Sequence, residues 1–413
     1  MRKVRFAGVL AAGLMFIAET LTVLVGCTTT SRGTTSTPLP TTTSNAQQSS
    51  PTATLNPTNT WTYSPTPPAT TPTAWATPAG GCIVVIGGNQ AGTTSLNDVY
   101  VSSIASNGTL GSWSSQSNTI PTPIPIANWA TSGMWAINSG GSSPYFIYGN
   151  SAEPSGTNYA FLNGLASAPV TSCSVGPWSN GTPMANAQAT PILASWLNCV
   201  TDQTFAYLVE SASGVSYCES GQIAGGSIVN WQNQSAIGIA LDDSPIVQAR
   251  GYLFAIGGRI AGTTPISTIY RAQVSSPGTV GAWSSIGNFP SPWQHAPHQA
   301  VSVWTTNATF IYMCGGDDGS TTQNSVYFTS VDFAGNLSSW TFTTPLPIPV
   351  QYSQIVAYRR SNVTYLAILG GTNITTDVSS VYYAQVTSNG ALGAWTSGPA
   401  LPSTRSMHAG VVF

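Results

Sequence analysis

Beyond Lys3 this chain of 413 residues has no lysine. Charged residues make up 5% of it, and there are three histidines. So little positive charge cannot form the basic patch that neutralises phosphates, which argues against nucleic acid as a partner. No Cys-x-x-Cys occurs, so a structural zinc site is not expected. After residue 25 no second long apolar run follows, so nothing further along should span a membrane as a helix. Past residue 27, seven Arg face eleven acidic residues, net −4. Ser, Thr, Asn, Gln and Gly are plentiful instead. That predicts a neutral, hydrogen-bonding surface of the kind found on extracellular β proteins.

What is present is repetition. Six Tyr/Trp pairs run through the chain: Tyr100/Trp113, Tyr159/Trp178, Tyr217/Trp231, Tyr270/Trp283, Tyr327/Trp340 and Tyr382/Trp395. Four pairs are 13 residues apart, one is 14 and one is 19. Successive Trp residues lie 65, 53, 52, 57 and 55 apart. That period suits one four-stranded propeller blade and is too long for a helical solenoid unit. Four copies carry Gly-Gly ahead of the Tyr: Gly87-Gly88, Gly257-Gly258, Gly315-Gly316 and Gly370-Gly371. Each pair ends a short apolar run that reads as a buried strand, such as residues 82–86 or 365–369. Asn107-Gly108 and Asn389-Gly390 are hairpin signals between the Tyr strand and the Trp.

Double Gly, then Tyr, then Trp resembles the kelch repeat, over residues 82–413. The resemblance implies an all-β fold: a six-bladed kelch-like β-propeller of four-stranded blades, spanning 80–413. The second and third copies depart from the pattern, with Gly149-Asn150 and Glu210-Ser211 where Gly-Gly is expected. The chain ends on what looks like a first strand, 407–413, and the first copy begins on a second strand, 82–88. The last strand should therefore complete the first blade and leave no open edge.

Residues 1–27 read as a targeting segment. Arg2, Lys3 and Arg5 precede a mostly apolar stretch, and Leu24-Val25-Gly26-Cys27 resembles a bacterial lipobox. The resemblance implies lipidation of Cys27 and anchoring in a bilayer, outside the cytoplasm, on the cell membrane or outer membrane. The competing reading is an ordinary signal peptide or a membrane anchor. Residues 28–79 hold 34 Ser, Thr or Pro and one charge, Arg32. Such a tract cannot bury enough apolar surface to fold and reads as a disordered stalk, about 40 Å across as a coil. The remaining cysteines are Cys82, Cys173, Cys199, Cys218 and Cys314. Cys82 and Cys314 fall in blades far apart, which leaves Cys173, Cys199 and Cys218 as the expected candidates for pairing.

By the repeat register, the links into each first strand and the loops after each Gly-Gly share one face around the channel. That face collects Trp129 from the second copy, Asp242 and Arg259 from the fourth, and Trp293, His295, His298 and Asp317 from the fifth. Tyr352 and Asp377 come from the sixth and Arg405 from the first. These are the candidate ligand-binding residues. Aromatic faces with Asp, Arg and His suit a sugar, and Arg259 could fork onto a carboxylate. Each also has a plainer reading. Arg405 matches a structural first-strand pattern, Asp317-Asp318-Gly319 suits a turn, and Trp129 and Trp293 could simply pack. His295 and His298 would point to opposite faces of a strand, so no metal is expected. No cofactor and no catalytic set is expected either.

Two enzyme types share the kelch resemblance. The galactose-oxidase type needs a Tyr, His and Cys cluster that three histidines hardly provide. The sialic-acid mutarotase type fits in size, but no matching catalytic set maps here. The expectation is a surface module binding carbohydrate or an extracellular protein, with a carbohydrate-active enzyme of one of those types as the alternative. Fold alone does not choose between them.

Overall fold

Gly-Gly stops and Tyr strands do fold into a ring of small antiparallel sheets. The computed structural model describes residues 81–413 except 92–93, 120–133, 139–143, 150–151, 156–157, 162–164, 181–195, 202–204, 213–214, 225–226, 261–263, 276–277, 295–299 and 306–307. The leader and stalk therefore lie outside the described residues. So do Trp129, His295 and His298. Among the described residues there is no helix.

Numbered along the chain, sheet 1 joins Ala409–Val412, Cys82–Ile86, Val99–Ile104 and Leu110–Ser115. Sheet 3 is Trp196–Thr201, Phe205–Ala212, Val215–Ala224 and Ser227–Asn233. Sheet 5 is Ala300–Trp304, Thr309–Cys314, Val326–Val331 and Thr341–Phe342. Sheet 6 is Gln354–Arg360, Val363–Leu369, Val381–Val386 and Thr396–Ser397. Sheet 2 has five strands, built on Met134–Asn138, Pro144–Gly149 and Leu165–Thr171. The first strands of successive sheets neighbour one another in a closed circuit, which makes the architecture a β-propeller.

Three expectations need correction. Six equal four-stranded blades are not what forms. Five sheets are separate blades of four or five strands, and the fourth copy lies in a seven-stranded sheet, sheet 4. Its meander is Ile246–Ala249, Tyr252–Ile256, Thr264–Ser275 and Ser284–Trp293. Thr264–Ser275 runs unbroken, so its start also pairs with Arg259–Ile260 and its end with Thr279–Val280. Hairpins that stand apart in sheets 1 and 6 are fused into this one.

Tyr159 is not the counterpart of the other repeat tyrosines. It lies in the hairpin Ala152–Ser155 with Asn158–Phe161, between the second and third strands of sheet 2, where sheets 1 and 6 carry shorter hairpins. That place, ahead of the third strand, explains the 19-residue spacing. The third correction concerns the cysteines: Cys82 meets Cys173, as argued below. In sheet 3, which lacks the Gly pair, nothing turns the second strand outward. Phe205–Ala212 and Val215–Ala224 stay paired up to Ala212 and Val215.

The ring closes as the split ends require. Ala409 to Val412 pair antiparallel with Ile86 to Ile83. Cys82 and Phe413 exchange backbone hydrogen bonds of 3.0 and 2.9 Å. All five residues of Cys82–Ile86 are buried. Their alternation divides them between two neighbours. Ile83 and Val85 pack with Val356, Ala367 and Leu369 of sheet 6. Cys82, Val84 and Ile86 pack with Ala168, Val170 and Val175 of sheet 2. The core is thus a series of apolar layers between sheets.

Repeat tryptophans tie these layers together. The indole N–H of Trp113 donates to the Pro399 carbonyl of the preceding sheet at 2.9 Å. Trp178 donates to Asn118 at 3.1 Å, Trp283 to Ser235 at 2.8 Å and Trp395 to Thr344 at 3.0 Å. Each acceptor lies four or five residues after the preceding copy's Trp. Trp340 breaks the series. Its acceptor would fall near Gly287, which is inside the long strand Ser284–Trp293 and paired with Ile269. Among the described residues the Trp340 N–H has no acceptor, and its ring packs edge-on to Phe289 at 4.9 Å. Replacing Trp395 with Phe should therefore cost about 1 kcal/mol more than the same change at Trp340, the net contribution of one hydrogen bond. Denaturant midpoints of the two variants check this.

Candidate functional site

The face carrying the candidate residues is built by Gly-Gly. Gly370 and Gly371 have φ of 53° and 104°, values open to glycine without penalty. A Cβ on Gly371 would sit 2.8 Å from the Gln351 carbonyl oxygen. That close approach lets each link between sheets be held on both sides. Gly258, Gly316 and Gly371 donate to the carbonyls of Trp293, Val350 and Arg405, which lead out of their own sheets. The residue after each Gly pair bonds to the link coming in. The pairs are Asn89 with Ser406, Arg259 with Asp242, Asp317 with Gln294, and Thr372 with Gln351. These positions ring the mouth, and every one of them is polar.

Between sheets 6 and 1 the mouth opens into a cavity of about 500 Å³. Its walls are Asn89, Ala91, Thr404, Ser406 and Met407 from the sheet 1 side. From sheet 6 come Gln351, Tyr352, Thr372, Ile374, Thr375, Thr376 and Asp377. Among the described residues Asp377 is the one charged side chain lining it. Its carboxylate accepts from the Ala91 N–H at 2.7 Å and from the Thr372 hydroxyl at 2.8 Å, linking the two sheets. Asn89 is buried, and its Oδ1 has no hydrogen-bond partner among the described residues.

The walls also hold unusual backbone. Ala91, Tyr352, Ile374 and Met407 have φ of 55°, 53°, 58° and 53°. Such values are uncommon outside glycine, and for a β-branched residue such as Ile374 they are a true outlier. Strain of this kind costs of order 1–3 kcal/mol per residue and gathers at functional sites. Met407 N–H donates to the Tyr352 carbonyl at 2.9 Å, so two of the strained residues hold each other.

Tyr352 joins this cavity to a charged cluster from sheets 4 and 5. Burial pushes its hydroxyl well above the usual range. The nearby carboxylates of Asp243 and Asp317 add to that, and Arg259 opposes it. The phenol therefore stays neutral. Arg259 is committed to Asp243, with an ion pair of 2.5 Å against a wholly buried carboxylate. One arm of its fork, Nη2, is thus taken up by Asp243. Asp317 accepts from Gln294 at 3.0 Å and from the Gly319 N–H at 2.7 Å. Its neighbour Asp318 is turn chemistry: burial would raise its carboxyl, but bonds from Ser320 and Thr321 hold it below the usual range.

Two expected residues are out of a ligand's reach. Trp293 is 2% exposed and packs edge-on to Phe289 at 5.1 Å, in the layer between sheets 4 and 5. Arg405 has no exposed surface. Its Nη1 and Nη2 bond the Asp98 carboxylate at 2.9 and 3.0 Å, and Nη1 also bonds the Gly87 carbonyl at 2.9 Å. Asp242 has its backbone in the ring of links, paired with Arg259. The structure thus brings Tyr352, Asp317 and Arg259 together and puts Asp377 on the cavity wall. Residues with no charge or ring to mark them, Asn89, Gln351, Thr372 and Ser406, escaped the sequence reading. Their signal was positional: Asn89 and Thr372 directly follow a Gly pair, as Arg259 and Asp317 do.

Among the described residues no group of three His, Cys, Asp or Glu is placed to hold a metal ion. Fold and mouth together define the class: an all-β propeller with a cavity at one rim of its channel, lined by apolar surface with hydroxyls, amides and a carboxylate set into it. Compared with known proteins, the chain matches no family model and no curated sequence.

Proposed function

We propose that the protein is a binding module of kelch-like type, tethered outside the cytoplasm by a lipid on Cys27, whose channel mouth takes a neutral, hydroxyl-rich ligand of the carbohydrate class. The observation carrying this is the cavity between sheets 6 and 1. Its volume of about 500 Å³ suits a small ligand. Among the described residues its walls set hydroxyls, amides and one carboxylate into a mainly apolar surface, a mixture that suits the polar edge and the C–H face of a sugar ring. Strained backbone at four wall positions adds to the case. The lipobox and the Ser/Thr/Pro tract support the tether.

A glycan array with the full chain tests the ligand class. Asn89→Ala should weaken the best glycan about fivefold, the loss of one neutral hydrogen bond. A Phe342→Ser control on the exposed outer strand should not change it. Absence of any glycan binding would reject the carbohydrate class and favour an extracellular protein partner. The tether is tested separately. Cys27→Ser should move the protein from the membrane fraction to the soluble one or stall processing, and unchanged fractionation would reject the anchor.

A further inference from the structure

Glycine at the outer hairpin of one sheet lies under an aromatic ring of the preceding sheet, and this recurs around the ring. A Cβ on Gly108 would meet Tyr365 at 2.4 Å, and one on Gly278 would meet Phe205 at 2.4 Å. On Gly335 it would meet Tyr252 at 2.6 Å, and on Gly390 Phe328 and Phe310 at 2.6 and 2.7 Å. These glycines share a left-handed φ of 73–91°. Phe205, Tyr252, Phe310 and Tyr365 all lie near the start of a second strand.

At the junction of sheets 1 and 2 the same two positions hold cysteines. Cys82 opens the second strand of sheet 1. Cys173 is in the hairpin turn of sheet 2, between paired Thr171 and Ser174, with φ 62°. Cys173 packs against the buried cluster that contains Cys82, and the two thiols hydrogen-bond. Here sulfur faces sulfur where a ring covers a glycine elsewhere. We propose that Cys82 and Cys173 form a disulfide that locks sheet 1 to sheet 2, in the place that a ring over a glycine holds at four of the other five junctions.

The surroundings set the order of the chemistry. Cys82 is buried and Cys173 is half-buried, so an oxidant meets Cys173 first. The bond from Cys82 holds the Cys173 thiol below its usual range, burial opposes this, and the Arg360 guanidinium assists. Cys173 is thus the more thiolate-like of the two. Its thiolate attacks one sulfur of a low-molecular-weight disulfide, breaking that bond and expelling a thiolate. Cys82 then gives up its proton, attacks Cys173 Sγ in the mixed disulfide and expels the second thiolate. Two cysteines lose two protons and two electrons, and the oxidant becomes two thiols. The closed loop spans roughly ninety residues, a length for which a cross-link constrains the unfolded chain strongly. The proposal rests on the thiols and not on the ligand or the location.

The test uses the full chain with glutathione disulfide as oxidant, followed by alkylation and peptide mass spectrometry. The expected result is a linked pair of peptides carrying Cys82 and Cys173, with loss of alkylation at both. Reduction should lower Tm by roughly 5 °C. Cys82→Ser should leave Cys173 trapped as the glutathione mixed disulfide. In Cys173→Ser, which alters only the half-buried tip, reduction should no longer shift Tm. Cys82 and Cys173 both still alkylated after oxidation of the folded protein, or Cys173 linked to Cys199, would overturn the proposal.

Discussion

Removal of residues 407–413 is expected to abolish cooperative folding of the propeller. The segment supplies the first strand of sheet 1, pairing with Ile83 to Ile86. Met407, Ala409, Val411, Val412 and Phe413 are all buried. Losing four large apolar side chains removes on the order of 6–10 kcal/mol of burial. A domain's whole stability is about 5–15 kcal/mol. Cys82–Ile86 would also become an exposed apolar edge, open to pairing with other chains. Circular dichroism and size exclusion of the truncated protein decide the matter. A monomer with a cooperative transition near that of the full chain would show that the closing strand is dispensable.

Arg405→Ala is expected to destabilise the fold by about 3–5 kcal/mol, the usual cost of breaking a buried ion pair by removing one partner. Arg405 is wholly buried, and its fork satisfies both Asp98 oxygens, the Gly87 carbonyl and the Ser403 hydroxyl. The guanidinium also lies 4.8 Å from the Tyr100 ring centre. Arg405→Lys should recover only part of the loss, because an ammonium cannot reproduce the two parallel bonds. Thermal unfolding of both variants checks this. A Lys variant intermediate between Ala and the unchanged protein would fit the fork, and a Lys variant of full stability would count against it.

Much of the ring was readable where the repeat keeps its local chemistry. Gly87-Gly88, Gly257-Gly258, Gly315-Gly316 and Gly370-Gly371 each end a strand where the pattern requires. Ala409–Val412 closes sheet 1 as the split ends imply. The reading went astray where local chemistry changes. Tyr159 has the right identity, yet it lies in the hairpin ahead of the third strand and not in that strand. The unbroken run Thr264–Ser275 merges hairpins that no single residue marks as merged.

At the mouth, the charged and aromatic residues drew notice first. Two of them, Trp293 and Arg405, turned out to serve the core. Side-chain type alone cannot tell a packed ring from an exposed one. Small polar residues at equivalent positions, Asn89 and Thr372, line the cavity instead. Equivalence within the repeat was the better guide. The same holds for Cys82 and Cys173, whose meeting is legible only once the glycine and ring positions of the other junctions are aligned.

The ties between sheets all point one way along the chain. The indoles of Trp178, Trp283 and Trp395 bond backward, to the copy made before each, and the hairpin glycines Gly278, Gly335 and Gly390 rest on rings of the earlier copy. As the chain leaves the ribosome, a newly finished copy finds its docking surface already in place. N-terminal segments generally fold first during synthesis. The exception is the first copy, whose Trp113 waits for Pro399 and whose Gly108 waits for Tyr365. Assembly can thus proceed blade upon blade, with sheet 1 held incomplete until Ala409–Val412 arrives. Its pairing with Cys82–Ile86 then converts a growing stack into a ring.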